Sequence, residues 1–235
     1  MREFALNTLD LAVQRGITYA DVRVAQRQTE NLSVKNGRPD RARAAEDAGF
    51  GVRVLADGAW GFAASSRFES QAAAETVKRA IEIARASACV QTEAVHLPPR
   101  PAEEGTYATP VEQDPFAVPQ EARLALLCGC SEAMQRHPEV RVAQAHMNLF
   151  REDRWFVSSE GSRLKQAIVE AGGGVSATAV GDDGVFQRRS FNNHAQAGYE
   201  FVEELNLLAE AERCADEAKA LLSAPVCPSG PRTLI

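Results

Sequence analysis

Apolar and polar positions recur with two different periods along this chain, and the changes of period mark its elements. Ala5, Leu9, Ala12 and Val13 fall at helical spacing before Gly16, which predicts an amphipathic helix over residues 2–15. From Tyr19 to Lys35 the period drops to two, with Val22, Val24, Leu32 and Val34 sharing one face of an expected strand. Asn36-Gly37 then supplies a hairpin turn, because both positions tolerate positive φ. Gly51–Leu55 and Trp60–Ala64 are expected to pair across Asp57-Gly58, a turn of the same chemistry. Ser66 and Glu69 have capping-box spacing ahead of Ala73, Val77, Ile81 and Ala84, which predicts a helix over 67–88.

Residues 91–119 break this rhythm. They hold six of the eleven prolines, show no sustained period, and read as a linker or an extended surface crossing. Helical spacing returns over 120–136 through Leu124, Leu127, Cys128 and Met134, and His137-Pro138 ends it. Strands are expected at Val140–Phe150, Arg154–Ser158, Leu164–Ala171, Val175–Val180 and Val185–Ser190. A final helix over 199–222 would carry Leu205, Leu208, Ala211, Ala215, Ala218 and Leu222 on one face. Beyond Pro225, Pro228 and Pro231, Thr233-Leu234-Ile235 reads as the opening of a strand that has no partner in the sequence.

A repeat organises these elements. Gly49–Phe62, G-F-G-V-R-V-L-A-D-G-A-W-G-F, returns in degenerate form at Gly172–Val185, G-G-G-V-S-A-T-A-V-G-D-D-G-V. Gly49, Gly51, Val52, Ala56, Gly58 and Gly61 match Gly172, Gly174, Val175, Ala179, Gly181 and Gly184 at a constant spacing of 123 residues. A strand-turn-strand pattern precedes each copy, around Asn36-Gly37 and Glu160-Gly161, and a helix follows each. The fold class is therefore α+β, a duplicated, glycine-punctuated β-meander with flanking helices. Its division is 1–90 for the first meander, 91–119 for the crossing, 120–223 for the second meander and 224–235 for the start of something further.

Charge removes one class of partner. A net charge of −6 with interspersed signs offers no basic stripe for a nucleic-acid backbone. No apolar run reaches membrane-spanning length, and the N-terminus opens a helix pattern rather than a signal peptide. Cys89, Cys128, Cys130, Cys214 and Cys227 are odd in number and lack framework spacing, which suits a reducing cytoplasm.

Candidate chemistry is sparse. His96, His137, His146 and His194 include no ligand-spaced pair; His137 and His146 could meet in space, and His194 could line a cleft, but satisfied polar positions are the better reading. Cys128 and Cys130 would point apart on a helix and have no second pair, so half-buried thiols are expected. Gly49-x-Gly51 and Gly172–Gly174 lead into strands, which leaves no helix N-terminus to receive a phosphate. Ser158–Gly161 is a turn rather than a nucleophile elbow, and Asp182-Asp183-Gly184 lacks the remaining ligands of a calcium loop. Trp60, Phe62, Trp155 and Phe156 are expected to pack within the sheet.

Read in order, Y-A-D-V-R-V, N-L-S-V-K-N-G, G-F-G-V-R-V-L-A-D-G-A-W-G-F-A and a helix ending A-R-A-S-A resemble the N-terminal half of the TldD/PmbA family, zinc peptidases often labelled modulators of DNA gyrase. The Ser158–Gly161 turn, the Gly172–Gly174 block and A-P-V-C-P-S-G-P at 224–231 continue the resemblance. In TldD-type members a stretch like Cys227–Gly230 precedes a His-Glu-x-x-x-His helix, which binds zinc together with a later cysteine. None of those positions occurs here, so the resemblance assigns no catalytic, cofactor-binding or metal residue to this chain, and Cys227 is not the ligand cysteine. It implies zinc in the full-length protein and none in this part. It also implies the substrate-shaping, dimer-forming half of a cytoplasmic peptidase acting on peptides or unfolded segments, pairing with a second copy or a paralogue and inactive alone. The alternative is a non-catalytic partner subunit or peptide-binding module of the same family.

Overall fold

The computed structural model describes residues 1–225, 229–231 and 233. Seven strands, β1 (Tyr19–Lys35), β2 (Arg38–Ala56), β3 (Ala59–Ser65), β4 (Glu104–Ala108), β5 (Val140–Ser158), β6 (Arg163–Val180) and β7 (Phe186–Ala195), are hydrogen-bonded in the order β3-β2-β1-β5-β6-β4. Along β6, β4 pairs parallel with Arg163–Ala167 and β7 pairs antiparallel with Ala171–Val180. Each meander, β1-β2-β3 and β5-β6-β7, thus keeps its own order outward from the adjacent β1 and β5, as a duplication requires.

Four strands are unusually long: β1, β2, β5 and β6 run for 17, 19, 19 and 18 residues, where most strands stop within about ten. Each belongs to two compact units along its length. The first unit comprises Met1–Thr29, Ala44–Pro110 and Phe150–Val169, and the second Glu30–Arg43, Val111–Leu149 and Glu170–Ile235. The consecutive segments 1–90 and 120–223 each carry one meander, while the compact units interleave along the chain.

In the first unit, α1 (Arg2–Val13) and α2 (Ser70–Ala88) cover one sheet face. Ala20, Val22 and Val24 of β1 and Phe50, Val52 and Val54 of β2 meet Ala5, Leu9, Val77 and Ile81 there. In the second unit, α3 (Gln120–Met134), α4 (Tyr199–Glu204) and α5 (Leu207–Leu222) supply Leu127, Met134, Val202, Leu207 and Ala211 to a core completed by Ala145, Met147, Val175 and Ala177. In each unit the alternation of the strands leaves the opposite parity for the other sheet face.

The turns follow their residues. Asn36 and Gly37 (φ 50° and 72°) and Asp57 and Gly58 (φ 52° and 79°) take the left-handed pairs that suit tight hairpins. The second copy turns over five residues, 181–185, with Gly184 at φ 80°. Gly61 lies inside β3 and Gly184 in a turn, so these two aligned glycines do different work.

Several local expectations are corrected. The Ser66/Glu69 capping box does not form: α2 starts at Ser70 with no side-chain cap. Phe68, packed on Phe4 at 5.2 Å and Phe50 at 5.8 Å, holds the entry outside the helix. The strands expected at Val140–Phe150 and Arg154–Ser158 are one, as are Leu164–Ala171 and Val175–Val180. The helix over 199–222 breaks where Asn206 adopts φ 44°. Within the supposedly aperiodic 91–119, Glu104–Ala108 forms a strand by borrowing the ladder of β6, a tertiary effect with no local signature. The strand expected from Thr233 onward lies largely outside the described residues.

Candidate functional site

Because Ala20, Val22 and Val24 face the helices, Tyr19, Asp21, Arg23 and Arg27 fall on the open face of the first unit. They are joined there by Arg53, Trp60, Phe150, Glu152, Arg154 and Phe156. The carboxylates of Asp21 and Glu152 are each 1% exposed and lie beneath arginines. Arg53 donates to Asp21 Oδ2 through Nε at 2.7 Å, its Nη2 stands 2.6 Å from the same oxygen, and Arg23 Nε stands 3.4 Å from Oδ1. Arg27 donates to Glu152 Oε2 through Nη2 at 2.6 Å and Nε at 3.0 Å, while Arg154 Nε donates to Oε1. A buried carboxylate without such partners would carry a desolvation cost of several kcal/mol, so the guanidiniums are what permit these acids on a strand.

Aromatic rings brace the arginines. Arg23 lies over Phe156 at 5.4 Å, Arg27 over Phe150 at 5.6 Å and Arg53 over Trp60 at 4.7 Å. Tyr19 meets Trp60 edge-on at 5.7 Å. Burial, and then the charge of Asp21, raise the Tyr19 phenol above its ordinary 10.0. For Arg53 burial opposes the charged form, but the hydrogen bond and charge of Asp21 outweigh it and the pKa rises. Between the strands a cavity of about 510 Å³ is lined by Arg23, Arg27, Glu152, Arg154, Phe156 and Leu164 among others. This is a cationic cleft with an apolar floor and its acids withdrawn from solvent.

The second unit's open face differs in chemistry. His146 and His194 stack with ring centroids 6.5 Å apart, and Asn148 lies 3.2 Å from His194 Nε2. Gly172 and Gly174 lie beneath, where a Cβ would collide with these rings and with the β7 backbone. Burial lowers the His146 pKa, opposed by a hydrogen bond with Asn192 and reinforced by His194.

The other residues weighed from sequence do not converge. His137 pairs with Asp216 at 2.7 Å rather than with His146, and His96 is exposed. Cys130 is buried, its thiol pushed up to about 11 by that burial; Cys128 is half-buried; neither is bonded. Gly49, Gly51 and Gly172–Gly174 lie within strands, and Asp183 accepts from Val185 N at 3.0 Å in a turn. Phe62, expected to be packed, is 57% exposed and covers the bare backbone of Gly51. Cys227 lies outside the described residues. Among the described residues no three His, Cys, Asp or Glu side chains gather as metal ligands, so they do not fit the implied zinc.

The residues that matter most on the first open face, Asp21, Glu152 and their arginines, were not singled out from the sequence. The available signal was the charged parity of Tyr19-Asp21-Arg23 beside a fully apolar one.

A helix-backed sheet with this duplicated strand order recurs in solved structures of other proteins. The chain belongs to the PmbA/TldD family: residues 20–84 match PmbA/TldA metallopeptidase domain 1 and residues 113–223 match the PmbA/TldA metallopeptidase central domain. A protein named Metalloprotease from Methanothermobacter thermautotrophicus is 24% identical over 96% of this chain and 48% of its own length. A metalloprotease from Methanocaldococcus jannaschii is 24% identical over 90% and 46%. The chain therefore spans about half the length of the curated relatives it matches. Among solved structures, a candidate modulator of DNA gyrase from Thermotoga maritima superposes with a TM-score of 0.73 at 19% identity, over 97% of this chain and 50% of that one. TldE from Thermococcus kodakarensis gives 0.68 at 15%, over 92% and 47%. No helix among the described residues is long and apolar enough to cross a membrane.

Proposed function

We propose that this chain is the substrate-shaping, dimer-forming amino-terminal part of a cytoplasmic zinc peptidase that acts on peptides or unfolded segments, with its metal centre in residues beyond Ile235. The observation that carries this reading is the match to both metallopeptidase domain models in a chain that spans about half the length of its curated metalloprotease relatives. The free thiols of Cys89, Cys128, Cys130 and Cys214 fit a reducing compartment. In this reading the open face of the first unit receives the peptide and the 235-residue chain alone hydrolyses nothing.

The test is to express the native reading frame with whatever follows Ile235, beside the 235-residue chain, and to measure chelator-sensitive hydrolysis of a denatured protein. Activity in the longer protein alone is the expected result. Chelator-sensitive activity with stoichiometric zinc in the 235-residue chain would overturn it. A full-length protein that binds peptides and never cleaves them would favour the non-catalytic partner subunit.

A further inference from the structure

The cavity on the open face of the first unit is lined by three arginines, Arg23, Arg27 and Arg154, and one carboxylate, Glu152, with Asp21 paired to Arg53 beside it, in a chain whose net charge is −6. A cationic excess there runs against the composition of the whole. Both carboxylates are sealed at 1% exposure, so they orient the guanidiniums and do not compete at the surface for an incoming anion. The guanidiniums themselves remain 41–64% exposed.

The donor count leaves capacity. Arg27 uses Nε and Nη2 on Glu152 and Arg154 uses Nε, while a guanidinium has five N–H donors in a fixed fork that matches a carboxylate. Cation–π stacking on Phe156 and Phe150 reduces the freedom Arg23 and Arg27 would otherwise lose on binding. Arg23 and Arg27 are four residues apart on one strand, roughly 13 Å, the span between positions i and i+4 of an extended peptide. Phe156 and Leu164 give the cavity a floor for apolar side chains between them.

We infer that this face is a carboxylate-recognising peptide site: it selects extended segments bearing acidic side chains or a free C-terminal carboxylate, held by Arg23, Arg27 and Arg154 over the Phe156–Leu164 floor. The inference rests on the reading that peptides are the substrate and adds the charge they carry. Oligonucleotides share the anionic charge but would need a continuous basic track, and the acidic remainder of the chain opposes one.

The experiment is fluorescence anisotropy on the 235-residue chain with four labelled ten-residue peptides. They carry Glu or Gln at positions i and i+4, each with a free or an amidated C-terminus. A peptide with both kinds of carboxylate should bind about tenfold or more tighter than the Gln-amide peptide. The two mixed peptides assign the preference to side chains or to the terminus. Arg23→Gln, and separately Arg154→Gln, should each weaken the acidic peptide about fivefold while leaving the Gln-amide peptide unchanged. Thermal melts establish that the variants are folded. Arg23 is 64% exposed and only loosely tied, so its variant keeps the test alive if Arg154→Gln does not fold. Equal binding of all four peptides, variants that bind like the parent, or tighter binding of oligothymidylate would each overturn the inference. If the longer protein cleaves peptides without charge preference, only this inference fails. If the preference holds and the longer protein cleaves nothing, only the peptidase reading fails.

Discussion

Arg123 lies in α3 with its side chain 4% exposed, and Glu30, 13% exposed, stands 3.0 Å from Nη1. Neither Nη1 nor Nε has a well-aligned hydrogen-bond acceptor among the described residues, so this contact is Coulombic and poorly directed. Removing the acid alone would strand a buried cation, whereas replacing both partners by apolar side chains removes the desolvation cost of each. Glu30→Ala should therefore cost about 3–5 kcal/mol, and the double variant Glu30→Leu/Arg123→Met should be neutral or stabilising. Urea midpoints for the two variants decide this, and the reverse ranking would refute it. His146 makes a second prediction at this scale. Burial, with His194 as a lesser cause, holds its pKa below the 6.5 that the unfolded chain retains. Below 6.5 the unfolded chain takes up the proton first, so this contribution is complete above that pH and is lost as pH falls through the folded value. Between pH 7.5 and 5.5 the melting temperature of His146→Gln should fall less than that of the parent; parallel curves would show that His146 does not contribute.

At the scale of elements, Gly61 sets how closely β3 approaches α2. A Cβ there would overlap the Ala80 carbonyl and the Ala84 backbone, neither of which can rotate away. Gly129 in α3 has nothing within 4 Å of the same atom. Gly61→Ala should cost about 3 kcal/mol by overpacking, and Gly129→Ala should stabilise by about 0.5–1 kcal/mol through helix propensity and the unfolded chain. Equal effects in chemical denaturation would mean that the β3–α2 spacing is not set by this glycine. Such packing shows how far the sequence can be read. β1 and the Asn36-Gly37 and Asp57-Gly58 turns were legible because apolar period and turn chemistry act over a few residues. The continuity of β5 through Arg151-Glu152-Asp153 was not, because Glu152 is made tolerable by Arg27 from another strand. Likewise Gly172–Gly174 reads as a break until the rings of His146 and His194 are seen filling the space above it. The charged parity of β1 was visible as letters, but its meaning depends on the arginines and rings that four strands bring together.

For the whole molecule, the net charge of −6 and the cationic face of the first unit act on an acidic peptide over different distances. At about 0.01 M salt the Debye length is roughly 30 Å, so an approaching peptide feels the net negative charge before it feels the arginines. At about 0.15 M the length shrinks to roughly 8 Å, and the distant acids are screened while contacts inside the cleft keep most of their strength. Raising the salt should therefore increase the association rate of the acidic peptide by about two- to threefold, and the dissociation rate should rise as the guanidinium–carboxylate contacts weaken. This is the opposite of steered association, in which added salt slows the encounter. Stopped-flow anisotropy at the two ionic strengths separates the cases. An association rate that falls steeply with salt would mean that the field at the cleft is set by the arginines at long range, and the acidic remainder of the chain would then have no part in gating the site.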